Sequence, residues 1–217
     1  MNIKNRMTAN PYTVEKKAPI TDAMALMHDK GMRRLPVVDN GKVVGILTKG
    51  DIAAVSPTKA TTLSIYEVNY LLSKTLVKDV MTKDVITISP DDLLEEAAVL
   101  MRNNKIGCLV VANDDKSIAG IITESDIFDA FIEMYGMNKK GTRIAVSVAD
   151  KPGMLAEIAA IFAKNEANIS NVVVLGAGQG NFLELVFRTS SLNTETIEKE
   201  ITAAGHEVLS SIETTEE

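Results

Sequence analysis

An eight-residue segment that starts Gly-Ile occurs twice in the chain, and its polar residues are well spaced to bind an anion. In each copy a threonine is followed three residues later by an aspartate. The four residues are Thr48 and Asp51 in the first copy and Thr123 and Asp126 in the second. A hydroxyl and free N–H groups at a helix start suit an anion, because the helix dipole places partial positive charge there. Such a pair can also simply cap its own helix, but its occurrence twice at one spacing favours a ligand.

The repeat extends on both sides of this segment. Met7-Thr8 corresponds to Met81-Thr82, and 35–39 corresponds to 109–113, always at an offset of 74 residues. The offset becomes 75 only across the turn before Gly120. Apolar helix positions correspond as well: Ile20, Ala23, Met24 and Met27 match Leu94, Ala97, Ala98 and Met101. Two copies of one structural unit are therefore expected.

Each copy has the pattern of a strand, a helix, two strands and a helix. In the second copy, Ser89-Pro90-Asp91-Asp92 combines an N-cap residue, a proline and acids, which predicts that a helix starts there. Turn residues at 39–41 and 113–116 predict a hairpin in each copy, and the closing helices are expected to begin near Asp51 and Asp126. Between the copies we expect a polar loop over 56–62 and a helix over 63–76.

The C-terminal third has a different pattern, βαββαβ, after a short polar linker at 138–142. Alternating and helical periodicities define its elements. We expect strands at 143–149, 171–175, 181–188 and 206–210, a helix at 154–164, a last helix capped by Asn193, a glycine-rich hairpin turn at 176–180 and an acidic tail at 213–217.

Composition excludes several classes of protein. The chain has 23 basic and 29 acidic residues, which opposes nucleic-acid binding through overall charge. One cysteine and two histidines supply too few ligands for a transition-metal site, and no metal site is expected. No apolar run approaches the length of a membrane span and no signal peptide is visible, so we expect a cytoplasmic protein with no membrane association.

The twin pattern of Met-Thr, Leu-Pro-Val-Val-Asp and Gly-Ile-Leu-Thr-x-x-Asp-Ile resembles a pair of CBS domains. The turn Asp150-Lys151-Pro152-Gly153 within βαββαβ resembles an ACT domain. The whole order resembles the acetoin-utilisation protein B family of regulatory proteins. The resemblance implies an α+β fold, with two βαββα repeats in a pseudo-two-fold module and a ferredoxin-like ACT domain. The implied boundaries are 1–64, 65–137 and 143–212.

The resemblance also implies a ligand. CBS pairs of this type hold AMP, ADP, ATP or S-adenosylmethionine in their clefts, as regulatory ligands and not as obligatory cofactors, with Mg²⁺ as an optional companion. By position, Thr48 and Thr123 would contact a phosphate, and Asp51 and Asp126 would contact the ribose hydroxyls. The remaining nucleotide-binding positions carried over are Arg34, Pro36, Val37 and Lys49.

The two sites are not expected to be equal. Lys49 in the first copy is replaced by Glu124 in the second, and Arg33-Arg34 by Gly107-Cys108. The Thr48 site is therefore expected to bind the more highly charged end of a ligand, or to bind its ligand more tightly. The alternative is that these are solvated surface charges of little energetic value. Val110 stands where the first copy has Pro36, which departs from the family pattern.

The ACT-like part offers a second ligand hypothesis. Asp150, Gly153 and the N–H groups of Met154 and Leu155 could hold the carboxylate of an amino acid, and Asn168 could accept from its ammonium group. An equal alternative is a domain that only dimerises. In either case an uncovered face or edge of the sheet favours a two-fold homodimer.

Three functions follow from these observations. The first is a non-enzymatic sensor that binds an adenine nucleotide, and an amino acid in its ACT part, and signals to an unidentified partner in acetoin or carbon metabolism. The second is a magnesium-dependent nucleotide-processing enzyme that uses Glu124 and Asp126. The third, a DNA-binding regulator, lacks a recognition-helix pattern. A variant of the first is a dimerising regulator that binds a partner protein without any small ligand. No nucleophile–base pair can be assigned, so no catalytic residue is proposed.

Overall fold

The structure is a computed structural model that describes residues 1–56, 64–176 and 181–214. Most of the expected loop at 56–62, the end of the glycine-rich turn at 177–180 and residues 215–217 of the expected tail lie outside the described residues. Internal contacts divide the chain into two compact units, Met1–Ile127 and Phe128–Glu217. Among the described helices, none is both long and apolar enough to cross a membrane.

The repeated pattern folds into two similar series of elements. Their order is a 3-10 helix (Ile3–Asn5), β1 (Thr8–Ala9), β2 (Val14–Glu15), α1 (Ile20–Asp29), β3 (Arg34–Asp39), β4 (Lys42–Thr48), α2 (Lys49–Val55), α3 (Ile65–Lys74), α4 (Val77–Val80), β5 (Thr87–Ile88), α5 (Leu94–Asn104), β6 (Cys108–Ala112), β7 (Ile118–Thr123) and α6 (Glu124–Met134). The hairpin turn of the first copy has positive φ at Asn40 and Gly41, as a two-residue turn of this kind requires.

Each copy builds its own small sheet, in which a short strand runs parallel to the first hairpin strand. The strand orders are β2-β3-β4 in the first copy and β5-β6-β7 in the second. The copies also interlock, because β1 of the first copy pairs with β7 of the second. Reciprocally, Ile46 and Thr82 exchange two backbone hydrogen bonds, each of 2.9 Å.

Two glycines of the repeated segment make this interlocking possible. A Cβ on Gly45 would stand 2.8 Å from the backbone oxygen of Thr82, and one on Gly120 would stand 2.9 Å from that of Thr8. Real Cβ atoms do not approach backbone oxygens so closely, so only glycine lets the leading segment of one copy lie on the hairpin of the other.

The predicted helix start at Ser89–Asp92 is wrong, since α5 begins at Leu94. Asp92 Oδ2 accepts from Ser89 N at 2.9 Å and closes a separate turn. The chain is then held extended by the N-terminus: Ile3 N donates to Asp92 O at 3.0 Å and Leu94 N to Met1 O at 2.8 Å. Long-range backbone pairing therefore moves the start of the helix toward the C-terminus, past the position that the local residues favour.

Apolar residues of the first copy and of α3 and α4 form one core. It includes Ile20, Met27, Leu35, Val37 and Leu47, which are almost wholly buried, with Leu72 and Val77 from the connecting segment. The expected helix at 63–76 is thus found as α3, followed by the short α4. A second cluster joins the copies: Val43, Ile46, Cys108, Val110 and Ile121.

The second unit contains the predicted βαββαβ order, formed by β8 (Gly141–Ala149), α7 (Met154–Lys164), β9 (Ile169–Gly176), β10 (Phe182–Thr189), α8 (Glu195–Ala203) and β11 (Glu207–Thr214). The strands form an antiparallel sheet in the order β11-β8-β10-β9. Ile144, Val146, Phe162, Phe187 and Ile201 form much of its buried core. These features confirm the predicted α+β class.

Two details of this unit were predicted wrongly. The N-cap residue of α8 is Thr194 and not Asn193. The last strand continues to Thr214, because its pairing with β8 runs on to Thr214 opposite Gly141. Glu213 and Thr214 are therefore part of the sheet and not of an acidic tail.

Candidate functional site

Thr48 caps helix α2 and forms a closed set of hydrogen bonds with Asp51. Asp51 Oδ2 accepts from Thr48 N at 2.8 Å and from Thr48 Oγ1 at 2.7 Å, and Asp51 N donates to Thr48 Oγ1 at 3.2 Å. The helix starts at Lys49, two residues before the expected position, because this capping box fixes its first turn.

The second copy repeats the two bonds to the aspartate carboxylate, but among the described residues no bond runs from Asp126 N back to Thr123 Oγ1. Asp126 Oδ2 accepts from Thr123 N at 2.7 Å and from Thr123 Oγ1 at 2.8 Å. In both copies the threonine hydroxyl donates to the carboxylate, and in the first copy Thr48 and Asp51 form the full capping box that the capping interpretation expects. Only Oδ2 is used, and the other oxygen, Oδ1 of Asp51 or of Asp126, has no hydrogen-bond partner among the described residues.

A cleft of about 530 Å³ opens beside Thr48, and both copies contribute to it. Lys49, Gly50 and Asp51 of the first copy face a segment that precedes β5 of the second. The full lining is Arg33, Arg34, Ile46, Thr48, Lys49, Gly50, Asp51, Thr82, Asp84, Val85, Ile86, Ile106, Gly107 and Cys108. Its volume lies within the range usual for small-molecule sites.

A second cleft, of about 590 Å³, opens beside Thr123. Its lining is Thr8, Ala9, Asn10, Pro11, Tyr12, Met32, Arg33, Arg34, Pro36, Gly107, Ile121, Thr123, Glu124 and Ser125. Much of this set corresponds to the first lining by the offset of the repeat: Thr8 to Thr82, Asn10 to Asp84 and Tyr12 to Ile86. The two clefts are therefore equivalent positions of one duplicated unit.

The structure brings together only part of the predicted nucleotide-binding set. Thr48, Lys49 and Asp51 share one cleft with Arg34. Pro36 lines the other cleft, beside Thr123, and Asp126 is not among the described residues that line it. Pro36 therefore does not act in the Thr48 cleft.

The side chain of Val37 does not fit its predicted role. It is fully buried in the core of the first copy, next to Ile20 and Leu47, and it lines neither cleft. Successive residues of a strand point to opposite faces, so Pro36 and Val37 cannot both face one ligand.

Sequence reasoning missed the segments that precede the short parallel strands. Thr82 and residues 84–86 line the Thr48 cleft, and residues 8–12 line the Thr123 cleft. The signal was present, because Met7-Thr8 and Met81-Thr82 belong to the repeat. However, the constant offset of the repeat does not reveal that each of these segments pairs with the hairpin of the other copy.

The charge difference between the clefts is smaller than the sequence suggested. Arg33 and Arg34 line both clefts, so the contrast reduces mainly to two pairs of positions. Lys49 stands against Glu124, and in the opposite sense Asp84 of the Thr48 cleft stands against neutral Asn10 of the Thr123 cleft. Lys49 and Glu124 each follow the capping threonine directly, and both are exposed. The backbone N–H of Lys49 donates to Arg33 O at 2.9 Å, and that of Glu124 to Gly107 O at 3.3 Å.

Cys108 lies between these charged groups. Burial raises the pKa of its thiol above the ordinary value, the hydrogen bond and positive charge of Arg34 lower it in part, and Glu124 raises it further. The thiol is therefore protonated at neutral pH and acts mainly as a small buried apolar group.

The candidate amino-acid site lies at the start of α7. Gly153 is the N-cap residue with φ of +97°, and Met154 and Leu155 begin the helix, where backbone N–H groups have no intrahelical acceptor. Asp150 is exposed and its N–H donates to Asn181 O at 2.7 Å. Asn168 is exposed just before β9, and no described hydrogen bond links it to Asp150.

Comparison with known families identifies the modules. The model of the CBS domain matches residues 2–57 and 77–133, together more than half of the chain. The chain belongs to the CBS domain family. The model of the ACT domain matches residues 142–206 of the second unit. The described residues contain no group of three or more His, Cys, Asp or Glu side chains placed to hold a metal ion.

Curated relatives share the CBS part. An uncharacterized protein of Methanocaldococcus jannaschii is 38% identical over 54% of this chain and 25% of its own length. A homoserine O-acetyltransferase of Methanosalsum zhilinae is 33% identical over 58% of this chain, and an inosine-5'-monophosphate dehydrogenase of Nitrosopumilus maritimus 34% identical over 56%. The matched region spans only 23% and 22% of those two enzymes.

Three solved structures resemble the CBS part. A protein assigned to acetoin utilization in Vibrio cholerae has a TM-score of 0.52 and 31% identity over 63% of this chain and 94% of its own. CBSX2, a CBS-pair protein of Arabidopsis thaliana solved with AMP, has a TM-score of 0.51 and 28% identity over 61% and 96%. A CBS domain pair in complex with 5′-methylthioadenosine and S-adenosyl-L-methionine has a TM-score of 0.50 and 27% identity, and the match covers 60% of this chain and 99% of that pair.

Proposed function

We propose that the CBS pair of this chain binds adenosine-containing ligands in its two clefts and acts as a regulatory sensor without catalytic activity. The observation that carries the proposal is the duplicated cleft, in which a capped helix start faces a segment of the other copy. Complexes of similar CBS pairs with AMP and with S-adenosyl-L-methionine support the ligand class.

The Thr48 cleft has the groups that a nucleotide needs. A phosphate near the start of α2 would meet the side chain of Lys49 and the two arginines Arg33 and Arg34. Of the first three helix N–H groups, those of Lys49 and Asp51 already donate to Arg33 O and Thr48 Oγ1, which leaves that of Gly50 for the phosphate. Oδ1 of Asp51 is available to accept from ribose hydroxyls, while Oδ2 holds the helix cap. The apolar residues Ile46, Val85, Ile86 and Ile106 provide a surface for the adenine ring.

At its helix start the Thr123 cleft is less suited to phosphate, although neutral Asn10 there replaces the carboxylate of Asp84. Glu124 occupies the position of Lys49, so a carboxylate stands beside the helix start where the other cleft has an ammonium group. We propose that this cleft prefers an adenosine derivative without a phosphate, such as 5′-methylthioadenosine or S-adenosylmethionine. A nucleotide there would bind more weakly than beside Thr48, and Mg²⁺ would offset part of the repulsion from Glu124.

The ACT domain is proposed to sense an amino acid at the start of α7, or to hold two chains together as a homodimer. In both cases the ligand-dependent change in the CBS pair would be passed to a partner protein of acetoin or carbon metabolism in the cytoplasm. The likeness to the Vibrio cholerae protein supports this assignment. Ligand binding regulates only if the two arrangements of the protein differ in affinity for the ligand.

A thermal-shift panel of AMP, ADP, ATP, 5′-methylthioadenosine, S-adenosylmethionine and amino acids tests the proposal on the intact chain. A ligand at one hundred times its Kd adds about 2.7 kcal/mol, which raises Tm by about 5–10 °C for a chain of this size. Thr48→Ala should remove most of the shift given by AMP.

Ser64→Ala is the matched control, because Ser64 and Glu67 form the same capping box at the start of α3, outside both clefts. It should lower Tm by a similar amount and leave the AMP shift intact. No shift with any adenosine compound would overturn the proposal. Release of product from ATP and Mg²⁺ would favour instead an enzyme that uses Glu124 and Asp126.

A further inference from the structure

Arg33 and Arg34 line both clefts, and Arg34 is the more buried of the two. On the β3–β4 ladder Arg34 lies directly opposite Thr48, and on the β6–β7 ladder the equivalent neighbour of Thr123 is Cys108. Side chains opposite each other on a ladder are close neighbours. Strand pairing therefore places a cation beside the first threonine and a neutral thiol beside the second.

The guanidinium of Arg34 nevertheless reaches into the second copy. Its Nη1 donates to Gly107 O, an oxygen that also accepts from Glu124 N at 3.3 Å. Arg34 Nη1 and Glu124 Oε2 lie 3.3 Å and 2.9 Å from the position that a Cβ on Gly107 would take. Gly107 lines both clefts, so the charge of Arg34 lies at their common wall.

Arg33 also lines both clefts, but it is exposed and its charge is screened by water. Arg34 is partly buried, so its charge is screened less. We propose that Arg34 couples the two clefts, because it can neutralise an anionic ligand in one cleft only by withdrawing from the other. This inference rests on the proposed function. It adds that the two clefts influence each other's affinity, in a direction set by ligand charge, and that Arg34 carries this coupling.

The sign of the coupling depends on the charge of the ligands. Two molecules of AMP compete for Arg34, so the second binds more weakly than it would alone. When a phosphate beside Thr48 takes Arg34, Glu124 loses its nearby cation, and the Thr123 cleft then favours a cationic adenosine derivative. S-adenosylmethionine, with its sulfonium and ammonium groups, therefore binds more tightly once AMP is bound. Coupling between sites is typically about 5–150-fold and acts equally in both directions.

Calorimetry with matched blocking variants measures this coupling. Gly50 and Ser125 occupy equivalent, exposed positions, one in each cleft, so Gly50→Trp closes the Thr48 cleft and Ser125→Trp the Thr123 cleft. The product of the two single-site association constants for AMP is compared with the overall two-site constant of the unaltered chain. We expect the overall constant to be at least about fivefold smaller than the product. When Arg34→Gln is added to each protein, the overall two-site constant should equal the product of the single-site constants.

Each outcome decides between the hypotheses. An overall constant equal to the product in the unaltered chain overturns the coupling, and a deficit that persists in Arg34→Gln overturns its assignment to Arg34. Arg34→Lys, which keeps the charge, should retain part of the deficit and guards against a packing defect. S-adenosylmethionine that binds more weakly to AMP-saturated protein contradicts the predicted sign. Absence of AMP binding in every variant overturns the proposed function itself.

Discussion

Gly45→Ala tests the close contact through which the two copies interlock. A Cβ at this position would stand 2.6 Å from Met81 Sδ and 2.8 Å from Thr82 O. The methionine side chain can move aside, but the backbone oxygen cannot move without breaking the two hydrogen bonds between Ile46 and Thr82. Those bonds contribute about 1 kcal/mol each and the overpacking costs about 1–3 kcal/mol, so the loss should be about 3–5 kcal/mol.

Urea unfolding followed by far-ultraviolet circular dichroism measures this loss. With a slope of about 2 kcal/mol per molar urea, the midpoint of the first unit should fall by about 1.5–2.5 M. Gly50→Ala is the control, because its Cβ would meet only Thr48 Oγ1, at 3.4 Å, and alanine favours the helix. If Gly45→Ala and Gly50→Ala unfold at the same urea concentration, the reasoning from this contact is refuted.

The same substitution should also affect one cleft more than the other. Thr82 lines the Thr48 cleft, whereas Thr8, the close neighbour of Gly120, lines the Thr123 cleft. Gly45→Ala is therefore expected to weaken binding beside Thr48, and Gly120→Ala binding beside Thr123. Calorimetry on the two variants with AMP and 5′-methylthioadenosine would show whether the losses separate in this way.

Other predictions concern the thiol and the second unit. Burial raises the pKa of Cys108, so its labelling by iodoacetamide should reach half the maximal rate only above the pH usual for a free thiol. Arg34→Gln should move that pH higher still, because it removes a charge that lowers the pKa. A labelling midpoint below the ordinary pH would contradict this reasoning. Gly141→Ala should strongly lower the Tm of the second unit, since its φ is +147° and the Cβ would stand 2.0 Å from Thr189 O. Gly153→Ala is the control: its φ is +97° and a Cβ there would meet no atom within 4 Å, so it should cost only backbone strain of about 1–3 kcal/mol. Equal losses of stability in Gly141→Ala and Gly153→Ala would refute the steric argument.

Local elements were predicted well wherever the residues of one short segment determine its conformation without distant contacts. The turn at Asn40-Gly41 and the helix Met154–Lys164 are examples, because positive φ and apolar spacing act within a few residues. The start of α5 was missed, since its position is decided by pairing with residues 1–3, about ninety residues away. Distant backbone pairing of this kind leaves no local pattern.

The clefts were predicted only in part for a related reason. The threonine and aspartate of each copy were found because they recur at one spacing. Val37 was carried over from the resemblance, and its side chain is buried in the core instead. Because β3 is buried on both faces, the alternation of polar and apolar residues gave no independent check on which face meets a ligand. The reach of Arg34 into the second copy depends on how the copies dock, which neither copy specifies alone.

The exchange of leading segments has a consequence for how such a molecule can arise and diverge. A polypeptide with a single copy would have half of each groove and would need another chain to complete it, donating β1 in return. Tandem duplication places both donors in one polypeptide, so the two grooves no longer share identical side chains. Arginine at position 34 and cysteine at position 108 illustrate the result: asymmetry that a symmetric pair of identical chains cannot have.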